Sequence, residues 1–218
     1  MKARPAAPGR SPAGFASHEG PGASWFRPRF AGAVGGAGVL AAMVGLAASA
    51  AMYPGFSLWD DDLSILGVSA GALFFNGGLV LGGCLGEFTA LGILVHLSRG
   101  RPLRRAGAVL LAFALAFLAA LGVITEAFVM VHFYVAFGFF SLFAAASLAL
   151  GVSFARDADL RAVGWLALFS AAMGVLAWLL PGEGWAISEL AAAVPGMLWL
   201  GALAFTMARK TDGQPGSR

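Results

Sequence analysis

Ser98-Arg-Gly-Arg-Pro-Leu-Arg-Arg105 stands between two long apolar runs, residues 64–97 and 106–125. Four cations in eight residues cannot enter a hydrocarbon core, so this stretch reads as a connector and the runs beside it as membrane spans. A span needs about 20 apolar residues to cross a core of about 30 Å. Worked outward, that rule predicts spans over residues 31–53, 64–97, 106–125, 131–154, 162–180 and 187–208. The fold class expected is therefore all-α, one bundle of six transmembrane helices.

The charges then orient the chain. The amino-terminal tail holds five of the fourteen Lys and Arg residues, Ser98–Arg105 four, Ala155–Arg161 two and the carboxyl-terminal tail three. The other three connectors hold none, and beside them lie Asp60, Asp61, Asp62, Glu126 and Glu183. Basic connectors stay in the cytoplasm. Both termini are expected there, in a multi-pass protein of the cell membrane.

Composition agrees with that class. The chain is 59% hydrophobic and 11% charged, against about 45–50% and about 25% in soluble domains. A net charge of +3 does not indicate nucleic acid, because the cations sit in short clusters between spans. The lone cysteine, Cys84, excludes an internal disulfide. Residues 1–30 read as a disordered basic tail and 209–218 as a polar one. Ala48-Ser49-Ala50 has the form of a signal-peptidase site, but its leader would be unusually long, so the first span is expected to be retained. No residue pattern recurs at a fixed period.

The second span is the most informative. Gly78, Gly82 and Gly86 form a smooth ridge where a helix, in this chain or in a second copy, can approach closely. Asn76, Gly83 and Glu87 fall within ~20–40° of one another on a different face, with Ser69 on the same line. Asn76 suits an interhelical hydrogen bond or a ligand contact. Glu87 lies roughly 13 Å inward from His96, near the midplane. An ionised carboxylate there costs at least ~2.5 kcal/mol, so it should be protonated, paired or facing water. His96 reads as a solvated span terminus, and Trp25, Trp59 and Trp185 as interfacial anchors. Pro195 predicts a kink in the last span.

A second polar group gathers at the acidic end. Asp62 or Ser64 would cap the second span. Glu126 closes the third span and His132 opens the fourth, across the apolar turn Glu126–Met130, and Glu189 begins the sixth near the same level. Carboxylates, a hydroxyl and an imidazole at one depth suit a Glu126–His132 hydrogen bond, an acid–base pair acting on a substrate, or a metal. The spacing matches no metal motif, so no metal or cofactor is assigned. Glu126 and His132 are the candidate catalytic residues; Asp62, Ser64, Asn76, Glu87 and Glu189 are the candidate substrate contacts.

Leu63-Ser64-Ile65-Leu66-Gly67 and Leu73-Phe74-Phe75-Asn76-Gly77-Gly78-Leu79, followed by Glu126 and His132, resemble the signature of a prokaryotic six-span membrane family, domain of unknown function 998. The resemblance covers about residues 35–207 and implies the same six spans. Thr125 stands where that family often has proline before the glutamate. The arrangement is more distantly similar to the eukaryotic Frag1/DRAM group, which is linked to lipid remodelling. Three functions follow as expectations: an outer-half pocket that binds or processes a lipid or small amphiphile, a proton-coupled carrier using Glu87, or an assembly or sensory subunit docking through the glycine ridge. The lipid bilayer is the expected partner in all three.

Overall fold

The computed structural model describes residues 26–180 and 184–209. Most of the two expected tails, with His18 and Trp25, and residues 181–183, with Glu183, lie outside the described residues. Among the described residues, six helices are long and apolar enough to cross a membrane. Their α-helical parts are α1 (Pro28–Ala51), α2 (Ala72–Gly92), α3 (Pro102–Leu121), α4 (Val129–Ala155), α5 (Arg161–Leu176) and α6 (Ala186–Ala208), and short 3₁₀ or π turns extend the second, fourth and fifth spans to Ala72–Leu97, Glu126–Ala155 and Arg161–Leu179. No strand occurs among the described residues. The chain is thus an all-helical multi-pass membrane protein.

Pro28 and Pro102 sit in the first turns of α1 and α3. Proline is favoured there because it lacks an N–H that would be unsatisfied anyway and its φ is already helical. α3 consequently starts inside the basic stretch, and Arg104 and Arg105 belong to its first turn. The long second span is also two elements. Leu63–Gly67 forms a separate 3₁₀ turn, and the regular helix begins only at Ala72. Ser69, expected on the line of Asn76, lies in the intervening bend; its hydroxyl donates to the Leu66 carbonyl and accepts from the Gly71 amide. Gly71 lets the bend lie directly against α1, since a Cβ there would stand 2.6 Å from Ser49 Cα.

Each helix packs against its sequence neighbours, and α6 returns to α1, closing a ring. Neighbours run antiparallel. Gly32 of α1 abuts Met207 and Gly201 abuts Val39, while Gly38 meets Leu85 and Gly45 meets Gly78. Alternation gathers every described arginine at one end of the bundle, the basic end, and Asp60–Asp62, Glu126 and Glu189 at the other. The interior is filled by side chains such as Phe143 of α4, edge-on to the fully buried Trp199 of α6 at 5.6 Å.

The glycine ridge is consumed within the chain. A Cβ on Gly78 would stand 3.1 Å from Gly45 Cα, and one on Gly82 would stand 3.0 Å from Ala42 Cβ. Gly86 faces Leu115 of α3 at 3.0 Å. All three are buried, so α1 and α3 cover the surface expected to serve a second copy.

At the basic end Arg104 is 2% exposed. Its guanidinium donates to Ser153 Oγ at 3.1 Å, to the Leu97 carbonyl at 3.1 Å and to Asp157 at 3.2 Å, and stacks 4.7 Å over Phe154. Arg101 meets the same carboxylate at 2.8 Å. This satisfies the guanidinium with donors in use on three sides, as a buried charge requires. Burial works to raise the Asp157 carboxyl, but the hydrogen bonds from Arg104 and Arg101 outweigh it and hold it below its ordinary value of 3.8. α2 reaches this cluster through a π-helical turn, Ile93–Leu97. His96 in that turn is half-buried, not solvated; Nε2 donates to the Phe26 carbonyl at 2.9 Å and the two rings stack at 5.7 Å.

Candidate functional site

The 3₁₀ turn Leu63–Gly67 roofs the acidic end of the ring. Three helices hold it there. Ser49 of α1 donates to the Leu66 carbonyl at 3.3 Å, and Asn76 of α2 donates through Nδ2 to the Gly67 carbonyl at 2.8 Å. Glu189 of α6 accepts the Leu63 amide at 2.7 Å. The preceding loop grips the start of α6 as well: Asp62 Oδ1 accepts the Trp185 amide at 2.9 Å, and the Asp61 carbonyl accepts the Ala186 amide at 2.9 Å. Asp62 therefore does not cap the second span, as expected from the sequence. Its side chain makes no cap bond to its own turn and is spent on α6.

Beneath the roof is a chamber of about 120 Å³. Its walls are apolar and come from five helices, exemplified by Leu46 (α1), Phe75 (α2), Leu118 (α3), Phe139 (α4) and Met197 (α6). Ser64, His132 and Glu189 are its polar lining residues, and all three belong to the acidic end. The volume is of the order of an engineered apolar cavity of about 150 Å³ that admits benzene, so it holds about six carbons.

On the other side of the turn lies a cleft of about 280 Å³ lined by Asp60, Asp61, Asp62, Ile65, Glu126, Gly184 and Trp185. The turn is the partition: Leu63 and Ser64 face the chamber, Asp62 and Ile65 the cleft. Glu189 lies within electrostatic reach of both Asp62 and Glu126.

The imidazole is fixed by its backbone. α4 starts directly after a second 3₁₀ turn, Glu126–Phe128, so His132 sits one turn into the helix and reaches back to the end of α3. Nδ1 lies 2.6 Å from the Ile124 carbonyl. A carbonyl oxygen only accepts, so Nδ1 carries a proton, and in the neutral tautomer that this bond selects Nε2 is the acceptor. Nε2 has no hydrogen-bond partner among the described residues. The expected Glu126–His132 hydrogen bond is therefore not formed. Glu126 faces the cleft, where its Oε2 is buried and unpartnered. The Ser64 hydroxyl likewise makes no hydrogen bond among the described residues.

Of the seven candidates, the structure brings Ser64, His132 and Glu189 into one chamber and Asp62 and Glu126 into the adjoining cleft. Asn76 lines neither; it ties the roof to α2. Glu87 is half-buried in α2, makes no hydrogen bond among the described residues and lines neither space. The chamber's aromatic wall on α4 is not announced by the sequence, where phenylalanines in a membrane span are equally suited to face lipid or to pack. His132, Ala136, Phe139, Phe140 and Phe143 fall in the i, i+4, i+7, i+8, i+11 pattern that marks one helix face. No group of three or more His, Cys, Asp or Glu among the described residues could hold a metal ion.

Fold and site together define a six-span helical membrane protein with an apolar chamber roofed at its acidic end. The chain belongs to the family "Protein of unknown function (DUF998)", whose model matches residues 36–206. No curated protein and no solved structure matches it. The two motifs of the family resemblance meet physically in the Asn76–Gly67 hydrogen bond.

Proposed function

We propose that the chamber binds the apolar part of a lipid or small amphiphile, whose polar end is held by Ser64, His132 and Glu189. The observation that carries this reading is the lining itself: apolar walls from five helices, with an oriented imidazole at one end whose Nε2 has no partner among the described residues. Ligand sites have this form, a mostly apolar concavity with a few convergent polar groups that fix orientation. In a membrane the acyl part of an amphiphile loses little on entering, so selectivity rests on the polar end. Because basic connectors are retained in the cytoplasm, the roof and cleft face the outside of the cell membrane, with both termini inside.

Neither other expectation gains support. A carrier would need Glu87 on the ligand's path, and it lines neither space. An assembly subunit docking through Gly78, Gly82 and Gly86 would need a surface that α1 and α3 already cover.

Native mass spectrometry of the full chain released from nanodiscs tests the proposal. An amphiphile adduct is expected on the wild type. Ala136→Phe, which fills the chamber, should remove it, and His132→Ala should weaken it. Equal adducts in all three proteins would contradict the proposal.

A further inference from the structure

Among the described residues, Glu87 is the one carboxyl group in the middle of a span. Leu97 ends the second span. At ~1.5 Å per residue Glu87 therefore lies ~15 Å inward, half of a ~30 Å core. Its oxygens have no hydrogen-bond partner among the described residues and are not buried, so the carboxyl opens on the surface of α2. Its neighbours on the same line of the helix show which surface: Cys84 is exposed and Leu91 is 44% exposed. α1 and α3 occupy the adjoining faces, with Gly82 against Ala42 and Gly83 against Ala119. What meets Glu87 is hydrocarbon or another protein surface.

Hydrocarbon alone is a poor neighbour. A carboxyl group there keeps its proton, which leaves one O–H donor and the carbonyl acceptor unmade. Such a group is costly in a medium that offers no hydrogen bonds. A foreign helix could answer it with Lys or Arg, but that cation would itself stand in mid-hydrocarbon. A second copy of this chain has no such penalty. Two copies threaded alike hold Glu87 at one depth and run α2 in one direction. Cys84, Glu87 and Leu91 are spaced three and four residues apart, as in the seam where parallel helices lay each residue against its own copy. A protonated carboxyl is its own complement, since each O–H donates to the other's carbonyl oxygen.

We infer that the chain forms a twofold dimer through the outer face of α2, in which Cys84, Glu87 and Leu91 meet their own copies and the two Glu87 carboxyls hydrogen-bond to each other. This face is distinct from the glycine ridge, which α1 and α3 cover, and from the chamber inside each ring.

Cys84, the one cysteine of the chain, reports the contact. The full chain in liposomes, at low protein-to-lipid ratio, is oxidised with copper phenanthroline and run on a non-reducing gel, and subunits are counted by single-molecule photobleaching as lipid is added. A disulfide-linked dimer is expected from the wild type. Glu87→Gln should retain it, because an amide is also donor and acceptor. Glu87→Leu should raise the dissociation constant ~5-fold or more, the scale of interhelical hydrogen bonds in lipid. Cys84→Ser combined with Phe169→Cys moves the thiol to an exposed position on α5 and should give only the background of random collisions. Both changes at position 87 leave the interior of the ring untouched.

Cys84 linkage no greater than that background, with single subunits counted for the wild type, would overturn the dimer. A dimer equally tight in Glu87→Leu would overturn the carboxyl pairing. A dimer as weak in Glu87→Gln as in Glu87→Leu would show that the amide cannot replace the acid, and would overturn it as well.

Discussion

Asn76 Nδ2 donates to the Gly67 carbonyl at 2.8 Å, and the same pair explains why position 67 is glycine: a Cβ there would stand 2.7 Å from Asn76 Oδ1. One contact thus joins α2 to the roof of the chamber. The two substitutions that break it should differ in size. Asn76→Ala removes one interhelical bond, about 0.6 kcal/mol in a membrane. Gly67→Val forces a side chain into a filled space, about 1–3 kcal/mol. Thermal unfolding in detergent should show the valine variant to be the less stable; the reverse order would dissociate the roof from Asn76.

Arg104 and Asp157 predict an acid limit to stability. The Asp157 carboxyl titrates lower in the folded chain than in the unfolded one. A group depressed by folding stabilises above its unfolded value, here 3.8, and that contribution drains away as pH falls through the lower folded value. Asp157→Asn should therefore be less stable than the wild type at neutral pH, by about 2 kcal/mol. That is below the ~3–5 kcal/mol of a fully buried pair, because Asp157 keeps 19% side-chain exposure. The gap between the two unfolding midpoints should narrow below about pH 4. A gap that stays constant into acid would show that the pair does not titrate as described.

The packing of Gly82 against Ala42 makes a different prediction from a docking ridge. Gly82→Leu should lower the yield and thermal stability of the fold, by about 1–3 kcal/mol or more, as overpacking at close helix crossings does. The mass of whatever folds, measured by light scattering in detergent, should match the wild type. A stable variant of reduced oligomeric mass would instead place the ridge at an interface between copies.

How much of this could be read in advance follows from what each residue's chemistry reveals. The six spans and the common side of the basic connectors were legible, since apolar length and charge act through the bilayer without regard to packing detail. Ser64, His132 and Glu189 were legible as one level of the bundle, because each stands near a span end. The break at Leu63–Gly71 was not. Gly67 and Gly71 lie in an apolar run where membrane helices tolerate glycine, and their role appears only when Asn76 and Ser49 occupy the space a Cβ would need. Arg104 was hidden likewise: its charge marks a connector, while its burial depends on Ser153, Phe154 and Asp157, about fifty residues away. The Phe139 and Phe143 walls carried no chemical signal that separates a chamber from lipid.

Glu87→Gln supplies a control within the same helix. Glu87 lines neither the chamber nor the cleft, so this variant should bind hexanol in nanodiscs as the wild type does, within about twofold. A loss of ~10-fold or more would bring the mid-span carboxylate into the ligand's path and revive the carrier reading.

The claim on which the rest depends is that an amphiphile's apolar part enters the ring of helices. A hexylamine bearing a photoactivatable diazirine at its far carbon reads that position directly, with labelled peptides of the full chain mapped by mass spectrometry. Labels are expected on the chamber lining, at Leu118, Ala136 or Met197, competed away by excess hexylammonium. Labels confined to the outward faces, at Phe113, Phe137 or Phe169, and indifferent to competitor, would contradict it.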